Sequence, residues 1–261
     1  MGINVSNINV TLKGKEILRD ISLIINCGEV LSIIGPNGSG KSTLMKAIVG
    51  DIPADKGSIN YTGRDIRNIN NKELAKIRSV MSQSPSILYD FSVMEIIEMG
   101  WFNNEISSNS GNFKSILKKI LSDCDLSELI DRKFNNLSGG EQRRVHMART
   151  LVQLYDYENS ADSKERFMFF DEPTANLDIA YEISMLGILR KKAKEGFGIF
   201  ITLHNLEMAY NFSDRVGILS KGNLVEFGNP ESVYNDLLLS KVYGLPLEFD
   251  KSSKRLKYCK E

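Results

Sequence analysis

Hydrophobic and polar residues alternate along residues 3–12 (INVSNINVTL) and 17–26 (ILRDISLIIN), the period of strands with one buried face. Lys13-Gly14-Lys15 supplies a turn between them, so the chain opens with antiparallel β structure. Residues 29–34 (EVLSII) form instead a short apolar run that stops at a glycine-rich stretch, and Lys41–Val49 beyond it has helical character up to Gly50. Strand, loop and helix follow in that order. Two later runs, 166–170 (RFMFF) and 198–203 (GIFITL), are nearly continuous in apolar residues, as expected for strands covered on both faces of a mostly parallel sheet. Ligands of open parallel sheets gather outside the carboxyl ends of the strands, so the polar residues at the ends of these runs are where chemistry is expected.

Between residues 84 and 142 the pattern turns helical, with Val93-Ile96-Ile97 and Ile116-Leu117-Ile120-Leu121 at helical spacing and a polar loop over 103–112. This segment reads as a helical subdomain inserted into an α/β core. The expected division is a core of 1–83 and 143–232, a helical subdomain of 84–142, and a C-terminal extension of 233–261. A second polar loop, 155–165 (YDYENSADSKE), precedes RFMFF and reads as solvated surface.

Composition narrows the classes. The chain has 261 residues, 42% hydrophobic and 25% charged, which excludes disordered and collagen-like chains. Its 33 Lys+Arg balance 33 Asp+Glu, so no global field draws it to nucleic acid or to anionic lipid. Cys27, Cys124 and Cys259 are scattered and odd in number, which fits a reducing compartment. The N-terminus lacks the basic start and apolar run of a signal peptide, and no run reaches the roughly 18 apolar residues that span a bilayer. Gly2 and Ser6 match a myristoylation pattern by letter, within a segment that reads as strand.

Three constellations carry chemistry. Gly35-Pro36-Asn37-Gly38-Ser39-Gly40-Lys41-Ser42-Thr43 fits G-x-x-x-x-G-K-[ST] between a strand and a helix: glycines let backbone N–H groups turn toward a phosphate, Lys41 reaches the β/γ-phosphates and the Ser42 hydroxyl ligates Mg²⁺. Asp171, after RFMFF, supplies a carboxylate for Mg²⁺, and Glu172 stands next to it, placed to take a proton from water attacking a γ-phosphate. Ser138-Gly139-Gly140, within Leu137–Gln142, opens a helix bearing Val145, Ala148, Leu151 and Val152, and is a second anion-binding device. Two phosphate sites in one chain require explanation.

These residues resemble those of ATP-binding-cassette ATPases, and the likeness runs over nearly the whole chain. GPNGSGKST resembles the Walker A motif, LSGGEQ the signature, FMFFDE Walker B with its catalytic glutamate, Ala175-Asn176-Leu177-Asp178 the D-loop, Gln83 the Q-loop and His204 the switch histidine. The resemblance implies a P-loop NTPase α/β fold: a mostly parallel sheet, an N-terminal antiparallel β subdomain and an inserted helical subdomain. It implies catalytic roles for Glu172, His204 and Gln83, with Gln83 also sensing metal and water. It also accounts for the doubled site, because two cassettes pair head to tail and hold each ATP between Walker A of one and the signature of the other. His146, inside the signature helix, reads as structural. Cassettes commonly stack adenine on an aromatic from the first hairpin, where this chain has Leu12, so apolar contact replaces stacking.

Within the family, FSVMEIIEMG (91–100), TLHNLEMA and the tail KVYGLPLE (241–248) resemble the iron-siderophore, haem and cobalamin importer group, and the loop before Walker B resembles haem-importer ATPases. The resemblance implies a homodimeric ATPase bound peripherally at the cytoplasmic face of the inner membrane. Its partners would be permease subunits and a substrate-binding protein, without nucleic acid and without direct contact to the substrate. Siderophore or cobalamin import, and a non-transport role as a regulator or nucleic-acid machine, are the alternatives.

Overall fold

The alternating N-terminal segments become a long antiparallel pair, β1 (Gly2–Leu12) and β2 (Lys15–Asn26), running from Gly2↔Asn26 to Leu12↔Lys15 with register shifts between Val5 and Thr11. A computed structural model describes residues 2–82, 87, 89–101, 111–154, 165–175 and 177–258. β3 (Val30–Ile34), the apolar run before the glycine-rich stretch, is buried at every position. α1 (Lys41–Val49) ends at Gly50, whose left-handed φ of 83° lets its N–H reach back to the Ala47 and Lys46 carbonyls. Leu44, Met45, Ile48 and Val49 are buried along it, each worth about 1.5–3 kcal/mol. β4 (Lys56–Tyr61) and β5 (Arg64–Asp65) complete a sheet ordered β2-β1-β4-β5. α2 (Asn71–Ile77), capped by the Asn70 side chain on the Glu73 N–H, then leads into β6 (Arg78–Met81).

The helical segment holds α3 (Val93–Glu98), α4 (Gly111–Asp123) and α5 (Gly139–Gln153). The residues singled out by their spacing in α3 and α4 are buried in one cluster with Val145, Ala148, Leu151 and Val152 of α5. α3 and α5 approach closely enough that a Cβ on Gly100 would lie 2.3 Å from the Arg149 carbonyl oxygen. Gly111 and Asn112 begin a helix, which corrects the expected polar loop at its end; residues 103–110, like 155–164 of the second loop, lie outside the described residues. α5 runs unbroken across residues 142 and 143 onto the core, where Gln153 Nε2 donates to the carbonyls of Ala75 (3.0 Å) and Arg78 (2.9 Å).

β7 (Phe167–Asp171), α6 (Ile179–Lys194), β8 (Gly198–Thr202), α7 (Leu206–Phe212), β9 (Arg215–Ser220) and β10 (Asn223–Gly228) complete the central sheet, ordered β10-β9-β3-β8-β7-β6. β9, β3, β8, β7 and β6 run parallel and β10 is antiparallel at the edge. Covering both faces explains the unbroken apolar runs: Phe167 and Phe169 of β7 enter the core shared with α1 and the first sheet, while Met168 and Phe170 enter the one shared with the helical segment. The expected α/β architecture, with an antiparallel N-terminal sheet and inserted helices, is the one observed.

Beyond it lie α8 (Pro230–Val233), α9 (Asp236–Tyr243) and a hairpin of β11 (Leu247–Asp250) and β12 (Arg255–Tyr258), which hydrophobic patterning does not announce. Tyr234 packs on Tyr210 of α7 and on Phe249, with centroids 5.0 and 4.8 Å away. Its hydroxyl donates to the Leu206 carbonyl at 2.7 Å, and the Leu256 N–H reaches Glu207 Oε1 at 2.8 Å. α7 is thus pinned from outside the central sheet. Among the described residues, no helix is long and apolar enough to cross a membrane.

Candidate functional site

β3 delivers Gly35 to the carboxyl end of the central strands, and the chain turns through Gly38 and Gly40, with φ of 75° and 111°, before entering α1. Gly40 is required twice over: its conformation is left-handed, and a Cβ there would sit 2.8 Å from Leu18 Cδ2. As N-cap it gives α1 no side-chain hydrogen bond, and the first turn carries no acid, so the N–H groups and the positive dipole end are left for an external anion. Pro36 is half-buried, Asn37 and Gly38 are exposed, and Ser42 and Thr43 are half-buried in the first turn. The buried Ser39 Oγ has no hydrogen-bond partner among the described residues. Lys41 is buried and folds back over the loop, Nζ donating to the carbonyls of Gly35 (2.9 Å) and Pro36 (3.3 Å). Burial pushes its ammonium below the ordinary range, while Glu172 and Asp171 draw it back up. An uncapped helix start, an orphaned hydroxyl and an ammonium resting on loop carbonyls fit a phosphate chain.

β7 and β8 pair in register Asp171↔Thr202, which puts two polar ends side by side. Asp171 Oδ1 accepts from Thr202 Oγ1 at 2.7 Å and from Ser42 Oγ at 3.2 Å. No group of three or more His, Cys, Asp or Glu poised to hold a metal occurs among the described residues. One carboxylate beside one hydroxyl is nevertheless the sparse donor set that suits Mg²⁺, which keeps most of its water. Glu172 adopts a left-handed φ of 48°, uncommon for a residue with a side chain. Its N–H donates to Thr202 Oγ1 (2.9 Å), and its carbonyl accepts from Arg143 Nη1 (2.5 Å) and from the Ala175 N–H (3.2 Å). Its Oε1 lies 2.5 Å from Nε2 of the half-exposed His204, two residues past the end of β8.

At the second glycine pair, Ser138 caps α5: its Oγ accepts from the Glu141 N–H (3.3 Å) and its own N–H donates to Glu141 Oε2 (2.7 Å), a capping box. Hydrogen bonding from Ser138 holds the Glu141 carboxyl below its usual range. Gly139 and Gly140 remain open, with only Leu177 Cδ2 near a Cβ placed on Gly140, at 3.4 Å. Asp178 caps α6, Oδ1 accepting from the N–H groups of Ala180 (3.0 Å) and Tyr181 (3.1 Å). Leu12 is partly exposed at the end of β1, whereas the hairpin residues against Gly40 are Ile17 and Leu18. Gln83 and Asn176 lie outside the described residues. His146 packs edge-on against Phe134, and burial, aided by Arg149 and Arg143, pushes its imidazole down to about 4.

The structure therefore brings Lys41, Ser42, Asp171, Glu172 and His204 together, with the Ser138-Gly139-Gly140 loop at the start of a separate helix. Sequence reasoning passes over Thr202 and Arg143. Thr202 is detectable as the last polar residue of GIFIT beside the last of FMFFD; Arg143 acts on a backbone carbonyl and leaves no sequence signal.

A parallel sheet ending in an uncapped glycine loop, with a buried Asp and an adjoining Glu–His pair at neighbouring strand ends, defines a nucleoside triphosphatase of the P-loop class. Residues 18–175 match the ABC transporter family, and the chain belongs to that family as an ATPase. It is 34% identical over 248 residues to the Hemin import ATP-binding protein HmuV of Shewanella denitrificans, covering 95% of each chain. The protein of the same name from Roseobacter denitrificans is 36% identical over 247 residues, with 95% of this chain and 92% of that one covered. Among solved structures, an ATP-binding cassette of an ABC transporter superposes with a TM-score of 0.78 at 26% identity, over 93% of this chain and 97% of that one.

Proposed function

We propose that this ATPase powers import of haemin, working as a peripheral homodimer on permease subunits at the cytoplasmic face of the inner membrane and fed by a substrate-binding protein. The observation that carries the substrate is the identity of 34–36% over 95% of the chain to hemin import ATP-binding proteins. ATP lies along Gly35, Pro36, Asn37, Gly38, Ser39, Gly40, Lys41, Ser42 and Thr43. Lys41 moves its donation from loop carbonyls to the β/γ-phosphates, and the N–H groups of the α1 start bind phosphate oxygens. Ser42 and Asp171, with Gln83 as the family resemblance implies, would hold Mg²⁺, which would supply neutralisation of the phosphate charge. Glu172 takes the proton of the attacking water as its oxygen bonds the γ-phosphorus and the bond to the ADP oxygen breaks; His204 fixes the carboxylate and reaches the γ-phosphate. Ser138, Gly139 and Gly140 of the second copy close the site from the far side, with Asp178 at the seam and Leu12 against the base. Closure moves the helical subdomain (84–142) against the core (1–83 and 143–232), with 233–261 as an appended unit.

The test is genetic and biochemical. Cells lacking the protein are expected to lose growth on haemin as sole iron source and to keep growth on ferric salts, and the purified permease complex should show ATPase stimulation by haemin-loaded binding protein. Growth on haemin with failure on a ferric siderophore overturns the substrate and leaves the importer standing.

A further inference from the structure

We infer that Arg143 is a positioning residue that holds Glu172 in its catalytic backbone conformation, so that the helix carrying one copy's signature loop also sets the base of that copy's own ATP site. The inference rests on the reading of Glu172 as the general base.

Glu172 occupies a left-handed conformation, and such a backbone persists only where its surroundings over-determine it. Each side of the residue is fixed from a different element. β8 takes its N–H through Thr202 Oγ1, the following turn contributes the Ala175 N–H to its carbonyl, and His204 meets its carboxylate. A side-chain donor on the carbonyl is the Arg143 guanidinium, at 2.5 Å. A charged donor on a carbonyl makes a stronger bond than a neutral one. Arg143 is half-buried and the carboxylates of Glu172 and Asp171 both act on it, so it sits inside the field of the site.

The location of Arg143 matters as much as its bond. It lies on α5, whose N-cap is Ser138, one turn from the glycine pair that faces the second copy. A Cβ placed on Gly140 would lie 3.4 Å from Leu177 Cδ2 of the same chain, so the α5 start and the segment after Glu172 are near neighbours. Any displacement of the α5 start on capture of the other copy's ATP is passed by a rigid helical turn to the guanidinium, and from there to the Glu172 carbonyl. Occupancy of one site thereby adjusts the base of the other.

The experiment compares R143A and R143K with the unsubstituted protein in the full permease complex, measuring kcat, KM for ATP and the Hill coefficient, and repeats R143A in an E172Q background. R143A is expected to lower kcat by about tenfold and bring the Hill coefficient toward one, with KM within twofold, which a misfolded chain would not preserve. R143K, keeping one charged donor, is expected to recover at least a third of the lost rate. In E172Q, R143A should remove no further activity, because both act through one group. A kcat within twofold of the parent in R143A, or an equal proportional loss in the E172Q background, overturns the role of Arg143. Substantial turnover by E172Q alone would instead overturn the reading of Glu172 on which the inference stands.

Discussion

α1 and α5 both begin at a glycine-rich turn, yet the two helix starts are finished in opposite ways. α1 has a bare glycine as N-cap and no acid in its first turn. α5 has Ser138 and Glu141 closing a capping box, so its dipole end already faces a carboxylate of its own. The first is an anion site in standing order. The second is satisfied by itself and takes an outside phosphate only when that phosphate arrives charged, fixed and accompanied by cations, as it would on the surface of another copy. On the proposed dimer, the difference would order the events: nucleotide first at α1, then α5 of a second chain.

The sharpest way to break that order is at the open end. Lys41→Ala removes the buried ammonium, and charged hydrogen bonds of this kind are worth about 1.5–3 kcal/mol each, so ATP affinity should fall at least about a hundredfold. A titration with fluorescent nucleotide reads it, and a loss below about tenfold would mean that the α1 start is not where nucleotide lodges. At the closed end, Ser138→Arg in E172Q should leave binding to the single chain unchanged and weaken ATP-dependent dimerisation at least about tenfold, or about 1.4 kcal/mol. Size-exclusion chromatography in ATP and Mg²⁺ decides it: a dimer peak undiminished by Ser138→Arg would place the contact elsewhere.

The smallest effect isolates the cap. Glu141→Ala opens the box and should cost about 1 kcal/mol of helix stability, a drop of about 2–4 °C in Tm for a chain of this size. Because hydrogen bonding holds the Glu141 carboxyl below its ordinary 4.5, its contribution is present above that pH and fades as pH falls through the lowered value. Melting curves of the variant and the parent should accordingly converge in acid. Curves that stay equally separated at all pH values would show that the carboxylate is not the source.

What the sequence discloses follows from which interactions are local. α1 is legible to the residue, from Lys41 to the stop at Gly50, because both of its ends are set by glycines. β3, β7 and β8 are legible because burial on both faces demands unbroken apolar runs, although β7 extends one residue further and takes Asp171 into the strand. β6, four residues at the sheet edge, is not, since its partner β7 is distant in the chain, and the β11–β12 hairpin is not, since four-residue patterns fit other states equally well. The site divides in the same way. Lys41, Ser42 and Ser138 are announced by motif, whereas Thr202 reaches its role through strand register and Arg143 through a bond to a backbone carbonyl.

The clasp on α7 makes the order of synthesis matter for the segment beside His204. α7 has seven residues, too few to persist as an isolated helix. Its start, two residues beyond His204, is secured by Tyr234, Phe249 and the Leu256 amide, all of which leave the ribosome after the glycine loop, Asp171 and Glu172. A chain that has not yet reached these residues lacks the contacts that hold α7 from outside the sheet. Two of the three supports, Phe249 and the Leu256 amide, belong to the hairpin that is made last, so the segment beside His204 is among the last of the central core to be fixed in place.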